Sequence, residues 1–269
     1  MVASGTTSEG PEASLDETRK MKLQYLGDSK DAFKWDYLDF LVKSLNKGSK
    51  EYKLLVVPML TDYDKTKQGQ TDPSEFSSSK EVQEFCLHLR NKRELKEIKK
   101  LPFYTKGSYK VCIHKERFHE EGNWFVNNDS FRRTYFPNIS EEGKTVLFLD
   151  PDKGLETKRP RNTNEQHVKY CDIKNIYNVA KKDDIIVVFQ HALRKHCPFP
   201  EHYQEILKRL EKKEVKSHTA AIFWGNKVMF VVIGKSKERI DQVEKINACY
   251  ANHDYICSGR PVKFIPDKD

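Results

Sequence analysis

The 269-residue chain contains no apolar run approaching the roughly 18–20 residues that a membrane-spanning helix needs. Its apolar runs, such as Ile185–Phe189 and Val228–Ile233, have the length of strands. A spanning-helix class is thereby excluded, and no membrane partner is expected. No Cys-x-x-Cys pair occurs: Cys86, Cys112, Cys171, Cys197, Cys249 and Cys257 are scattered, which excludes zinc-ribbon and thioredoxin spacings. The apolar core of an export signal is also missing, so these cysteines are expected to be reduced, buried thiols of a cytoplasmic protein. Only His191 and His196 lie close together among the nine histidines, a spacing that carries little metal signal. Residues 1–20 are Ser-, Thr-, Gly- and Glu-rich with almost nothing to bury. They are expected to form a disordered tail ahead of a single α/β domain over 21–269.

Charge is what the chain has in excess, with 48 Lys and Arg against 40 Asp and Glu. Setting aside the tail, with four acids and two bases, leaves 46 bases against 36 acids. A basic body fits a polyanionic partner, nucleic acid before membrane, although many Lys-rich proteins have no such partner. Two stretches concentrate the charge. One runs from Arg93 to Arg117 with Lys96, Lys99, Lys100, Lys106, Lys110 and Lys115, and reads as a solvated helix face slightly ahead of a phosphate-binding groove. The other is Lys158-Arg159-Pro160-Arg161, which with Arg194 forms the candidate nucleic-acid-binding set.

The order of elements points to a fold class. Lys30–Leu45 places Phe33, Tyr37, Phe40, Leu41 and Leu45 on one helical face, with Asp28 or Ser29 as N-cap. Tyr52–Leu60 is a near-continuous apolar run of the kind that is buried on both faces of a parallel sheet, and Pro58 predicts that the strand leaves the sheet there. Ser78-x-x-Glu81 reads as a capping box for the next helix. Further strands are predicted over Tyr109–His114, Thr145–Leu149, Asp184–Phe189, Ser217–Trp224, Val228–Ile233 and Val262–Ile265. Helices are predicted over Asp172–Ala180, Glu201–Lys213 and Ser236–Tyr250, and Gly225-Asn226-Lys227 reads as a hairpin turn. Alternating strands and helices predict a mostly parallel α/β sheet closed by an antiparallel hairpin, a Rossmann-like arrangement of the class I methyltransferase type.

Ligands of open α/β sheets bind beyond the carboxyl ends of the strands. Asp62, Asp150, Asp152, Gln190 and His191 follow strands and are the first candidates, against the plain alternative that strand ends are polar because they reach water. Asp150-Pro151-Asp152-Lys153-Gly154 is the sharpest of these signals. Proline fixes φ and glycine admits an unusual backbone angle, so together they hold Asp150 in a defined geometry. His191 is a secondary candidate, a general base or a neutral histidine hydrogen-bonded at the sheet mouth.

Leu149-Asp150-Pro151 resembles the Asp-Pro-Pro-Tyr motif of adenine-N6 methyltransferases. Gly27-x-x-x-Asp31-x-x-Lys34 is similar to a segment of the bacterial large-subunit ribosomal RNA adenine-N6 methyltransferases. More closely, GDSKDAFKWDYLDFL and LFLDPDKGLE resemble a family of uncharacterised prokaryotic proteins with GDxxDxxK near the start and DPDxGxE in the middle. The resemblance implies S-adenosylmethionine as cofactor, lined by Gly27, Asp28, Asp31, Lys34 and Asp62, with Lys34 a partner for its carboxylate. It also implies that Asp150 accepts a hydrogen bond from an exocyclic amine of a nucleobase; Asp152 and His191, read from their places after strands, join it in the candidate catalytic set. The chain departs from that pattern at Asp152, where the methyltransferases have proline, at Lys153, where an aromatic is missing, and after Leu60, where no Gly-rich turn follows. Those departures leave two alternatives: a nuclease holding Mg²⁺ on Asp150, Asp152 and Glu156, or a non-catalytic nucleic-acid-binding module.

Overall fold

The computed structural model describes residues 23–48, 51–59, 69–115, 132, 135–136, 143–156, 167–191, 198–225, 227–257 and 262–265. The helices are α1 (Ser29–Leu45), α2 (Lys80–Lys92), α3 (Leu101–Thr105), α4 (Tyr170–Val179), α5 (Phe199–Lys212), α6 (Lys237–Ala251) and α7 (Asp254–Cys257). The strands are β1 (Tyr52–Met59), β2 (Val111–Ile113), β3 (Lys144–Pro151), β4 (Gly154–Leu155), β5 (His167–Val168), β6 (Ile185–His191), β7 (His218–Trp224), β8 (Val228–Gly234) and β9 (Val262–Ile265). Seven of them form one sheet in the order β2-β1-β3-β6-β8-β7-β9. The pairings β2–β1, β1–β3 and β3–β6 are parallel, whereas β8 is antiparallel to both β6 and β7 and β9 is antiparallel to β7. The mixed α/β class with a mostly parallel central sheet therefore stands, as does the late hairpin, whose turn is closed by Lys227 N–H donating to Trp224 O at 3.1 Å.

The strands read as continuous apolar runs because helices cover both faces. Side chains alternate across a strand. Val146, Phe148, Ile185, Val187, Phe189, Val228, Phe230 and Val232 pack on the side of α1, α2 and α6. Leu147, Leu149, Ile186, Val188, Met229, Val231 and Ile233 pack on the side of α4 and α5. β1 runs through Pro58 to Met59 rather than leaving at the proline. The reason is local. β2 pairs with Leu54, Leu55 and Val56, so Pro58 lies past that ladder and its missing N–H breaks no bond to β2.

Three further expectations are corrected. Ser78 does not cap α2. The helix starts at Lys80 after Ser79, whose backbone N–H and hydroxyl both donate to Asp36 Oδ1, at 3.0 and 2.9 Å, while the Ser78 hydroxyl is buried without a partner. α1 is buried on nearly every side rather than along one stripe, because the loop over 69–79, α2 and α6 all pack on it. Among the described cysteines Cys86 and Cys112 are buried thiols outside any disulfide, but Cys171 and Cys249 are exposed. Among the described residues no helix is long and apolar enough to cross a membrane.

Candidate functional site at the carboxyl edge of the sheet

The chain leaves β1 towards β2 on one side and returns to β3 on the other, so the switch point of this sheet lies between β1 and β3. Ligands of open α/β sheets bind outside that point. Asp150, in register with Pro58 near the carboxyl end of β3, stands there. Strand alternation decides which way it turns. Phe148 packs on the α1 side, so Asp150, two residues on, points to the same side. It meets Lys34 on the second turn of α1: Lys34 Nζ donates to Asp150 Oδ2 at 2.9 Å across 116 residues of sequence. The same ammonium is 2.7 Å from Asp31 Oδ1. Phe189, Trp35 and Phe148 complete its surroundings, with ring centroids at 4.8, 5.6 and 5.9 Å.

The electrostatics follow from this arrangement. Burial alone lowers the affinity of Lys34 for its proton, but Asp150 and Asp31 outweigh it and hold the lysine charged. Burial pushes the Asp150 carboxyl up from its ordinary range, and Lys34 pulls part of that rise back. The lysine side chain keeps only 9% of its surface, whereas that of Asp150 keeps 25%. The carboxylate is thus anchored from below by a buried cation and open towards the mouth.

The remaining cofactor candidates on α1 are turned to local duties. Gly27, at φ +79°, donates its N–H to Asp31 Oδ2 at 2.8 Å. A Cβ on Gly27 would come within 2.1 Å of the Cys86 carbonyl oxygen, so the glycine is required for contact with α2. Both oxygens of Asp31 are therefore engaged inside the chain. Asp28 is the N-cap of α1, and its Oδ1 accepts from Lys30 N and Asp31 N, both at 2.9 Å. Burial first, and then Asp31, push the Asp28 carboxyl up to about 6.

On β6 the same alternation separates Gln190 from His191. Gln190 is fully buried, and its Oε1 accepts from Leu155 N at 2.7 Å while its Nε2 donates to His191 O at 2.8 Å. Gly154, at φ +96°, leaves room for this amide, since a Cβ there would lie 2.4 Å from Oε1. The turn after Asp150 is therefore pinned from β6. His191 is partly buried on the α1 side, edge-on to Phe189 at 4.9 Å. Its proton affinity is pushed down to about 3 by burial, Lys30 and Lys34, so it is neutral at pH 7. That neutrality suits a hydrogen-bonding group at the mouth, not a cation.

Sequence reasoning missed Lys30 and Lys227. Lys30 is partly buried, its proton affinity lowered by burial and raised through space by Asp28 and Asp152, with Lys34 and Lys227 opposing. Its position four residues before Lys34 was the available signal, since that spacing places both ammonium groups along one side of α1. Nothing in the sequence places Lys227 here, because its approach depends on β8 being inserted between β6 and β7.

Asp150, Asp152, His191, Asp28, Asp31 and Lys34 are thus gathered at one edge. Glu156 is not. Its Oε1 accepts from Tyr170 N at 2.9 Å at the start of α4. Among the described residues no group of three or more His, Cys, Asp or Glu side chains could hold a metal ion, so the three-carboxylate arrangement of the Mg²⁺ alternative does not form there. Asp62, Lys158, Arg159, Arg161 and Arg194 lie outside the described residues.

No family model matches the chain, and no curated protein does. Among solved structures, the chain is similar to protein LPL1258 from Legionella pneumophila str. Philadelphia 1, of family model DUF519. The two are 10% identical at a TM-score of 0.43, over 89% of this chain and 96% of that one.

Proposed function

We propose that the protein transfers a methyl group from S-adenosylmethionine to an exocyclic amine of a nucleobase in RNA or DNA. The observation that carries this reading is the ion pair between Lys34 and Asp150, which joins the two segments of the methyltransferase resemblance at the switch point of the sheet. A carboxylate fixed there, with proton affinity raised by burial, is suited to accept a hydrogen bond from an amine N–H and so leave the nitrogen lone pair directed at an electrophile. Lys34 holds the carboxylate in place, Gln190 fixes the turn behind it, and neutral His191, at the end of the adjacent strand, adds no charge.

S-adenosylmethionine would be held at this edge differently from the expectation. Lys34 stands between two carboxylates of its own chain and has no charge to spare for a third. Asp28, the N-cap of α1, and Lys30, on its first turn, are the acid and the base that would suit the zwitterionic amino-acid end of S-adenosylmethionine. When bound, the cofactor supplies the electrophilic methyl group.

A second reading has its own observation in its favour. Gly27, Asp31 and Lys34 are fully used within the fold, as they would be in a nucleic-acid-binding module without a cofactor. Calorimetry separates the two. Saturable heat with S-adenosylmethionine, weakened in Lys30→Ala and retained in Asp150→Asn, is the result expected for methyl transfer. No heat, with oligonucleotide binding intact, selects the module.

A further inference from the structure

The most exposed large apolar side chain among the described residues is not near the mouth. It is Phe103 of α3, 81% exposed. Residues 92–110 around it carry seven bases, Lys92, Arg93, Lys96, Lys99, Lys100, Lys106 and Lys110, against two acids, Glu94 and Glu97. That surplus of five compares with eight for the whole chain. Lys99 lies in the 3-10 segment that leads into α3, and Lys106 follows α3 as its left-handed cap, so the two flank the short helix that carries Phe103. Lys92, Lys96, Lys99, Lys100, Lys106 and Lys110 are all exposed. Arg93 is used otherwise, donating to the carbonyls of Leu23, Gln24 and Leu26. Lys96 is paired with Glu94 at 2.9 Å and Lys100 with Glu97 at 2.8 Å, surface pairs of the kind that yield readily to a stronger anion.

The residues after Phe103 are tied to α1 and α2. Tyr104, next in the chain, lies edge-on to Phe103 at 5.7 Å and packs on Phe85 and His88 at 5.6 and 5.5 Å. Thr105 donates to Asp39 Oδ1 at 2.7 Å, and Lys43 Nζ donates to the Thr105 carbonyl at 2.5 Å. A single aromatic face held out on a short helix, flanked along the chain by exposed lysines, has the composition of a stacking platform for an unpaired base, with ammonium groups for the flanking phosphates. A bilayer would require a broader apolar stripe than one phenyl ring.

We propose that the surface formed by the end of α2, residues 95–100 and α3 binds single-stranded nucleic acid, with one base stacked on Phe103 and the backbone tracked by Lys99, Lys106 and Lys110. This deepens the reading of the target as nucleic acid, but its test needs neither S-adenosylmethionine nor turnover, so the two can fail separately. The test is fluorescence anisotropy of the full chain with labelled 20-nucleotide oligo(dT), oligo(rU) and a matching duplex over a salt series. Binding to one or both single strands is expected, the two sugars reporting whether DNA or RNA is preferred. Phe103→Ala should weaken it about 5- to 150-fold, the range of one lost base–aromatic stack. Lys99→Gln/Lys106→Gln/Lys110→Gln should lower the slope of log K against log salt by about 2, at about 0.7 per lost phosphate contact. Melting curves confirm that the variants, all at exposed positions, stay folded. Affinity unchanged in Phe103→Ala, tighter binding to duplex than to single strands, or no oligonucleotide binding while phosphatidylserine vesicles are bound through Phe103 would each overturn the proposal.

Discussion

Asp28 carries two duties that conflict. Its carboxylate caps α1 through two backbone N–H groups, which favours the charged form, and it is buried beside Asp31, which disfavours it more. With a folded value of about 6 against an ordinary 3.8, the folded state binds more protons between those limits, so the Asp28 contribution is lost as pH rises through that window. The full loss is on the order of 3 kcal/mol. His191 acts with the opposite sign: its folded value is depressed to about 3, so its contribution is present above about 6.5 and falls away on acidification. Subtraction isolates Asp28. Asp28→Asn keeps an acceptor for the cap and removes the charge, so urea unfolding should show the variant more stable than wild type by roughly 1–3 kcal/mol at pH 7 and the difference gone by pH 3. A difference that does not change with pH would mean that Asp28 has an ordinary affinity for its proton. Lys34 is the complementary case. Lys34→Met leaves Asp31 and Asp150 facing each other without a cation, and should cost about 3–5 kcal/mol by the same measurement, part of it recovered when Asp150→Asn is added.

At the level of elements, the apolar strands were legible in the sequence and the polar helix contacts were not. β1, β3, β6, β7 and β8 are near-continuous apolar runs because both sheet faces are covered, and that pattern survives without knowledge of partners. α1 shows the limit. Asp36, Asp39 and Lys34 are residue types that belong on an exposed helix surface, yet all three are buried, each satisfied from far away in sequence. Asp36 is met by Ser79 and Tyr250, Asp39 by Thr105 and Tyr109, and Lys34 by Asp150. A pattern of residue types does not contain those partners. The same cause displaced the start of α2, where Asp36 takes Ser79 instead of leaving Ser78 to cap. Gly27 was legible as part of a motif but not as a packing requirement. Gly27→Ala must accept a left-handed φ and displace α2, and should cost about 2–3 kcal/mol or more. Gly48→Ala, with φ +92° and nothing within 4 Å, bears only the backbone term of about 1–2 kcal/mol. Equal shifts in the urea midpoints of the two variants would remove the close packing of Gly27 on α2 from the account.

For the whole molecule, sheet order is what turns scattered residues into a site. Asp150 and His191 belong to adjacent parallel strands, Lys227 precedes the strand inserted antiparallel beside them, and α1 brings Asp28, Lys30 and Lys34 over the same edge. The sequence pointed to Asp150 and Lys34 through local motifs. That they touch is a property of the fold, and the diversion of Glu156 to the start of α4 is another. Methyl transfer at this edge, with Asp150 accepting a hydrogen bond from the amine, is the function proposed for the fold. Its most direct test is incorporation of tritiated methyl from S-adenosylmethionine into single-stranded RNA and DNA, with nucleoside analysis of the product. N-methylated exocyclic amines are expected with wild type, and a loss of about 100-fold or more with Asp150→Ala, which removes the acceptor and leaves binding of S-adenosylmethionine in place. Incorporation undiminished in Asp150→Ala, or none at all with wild type, would overturn the proposal.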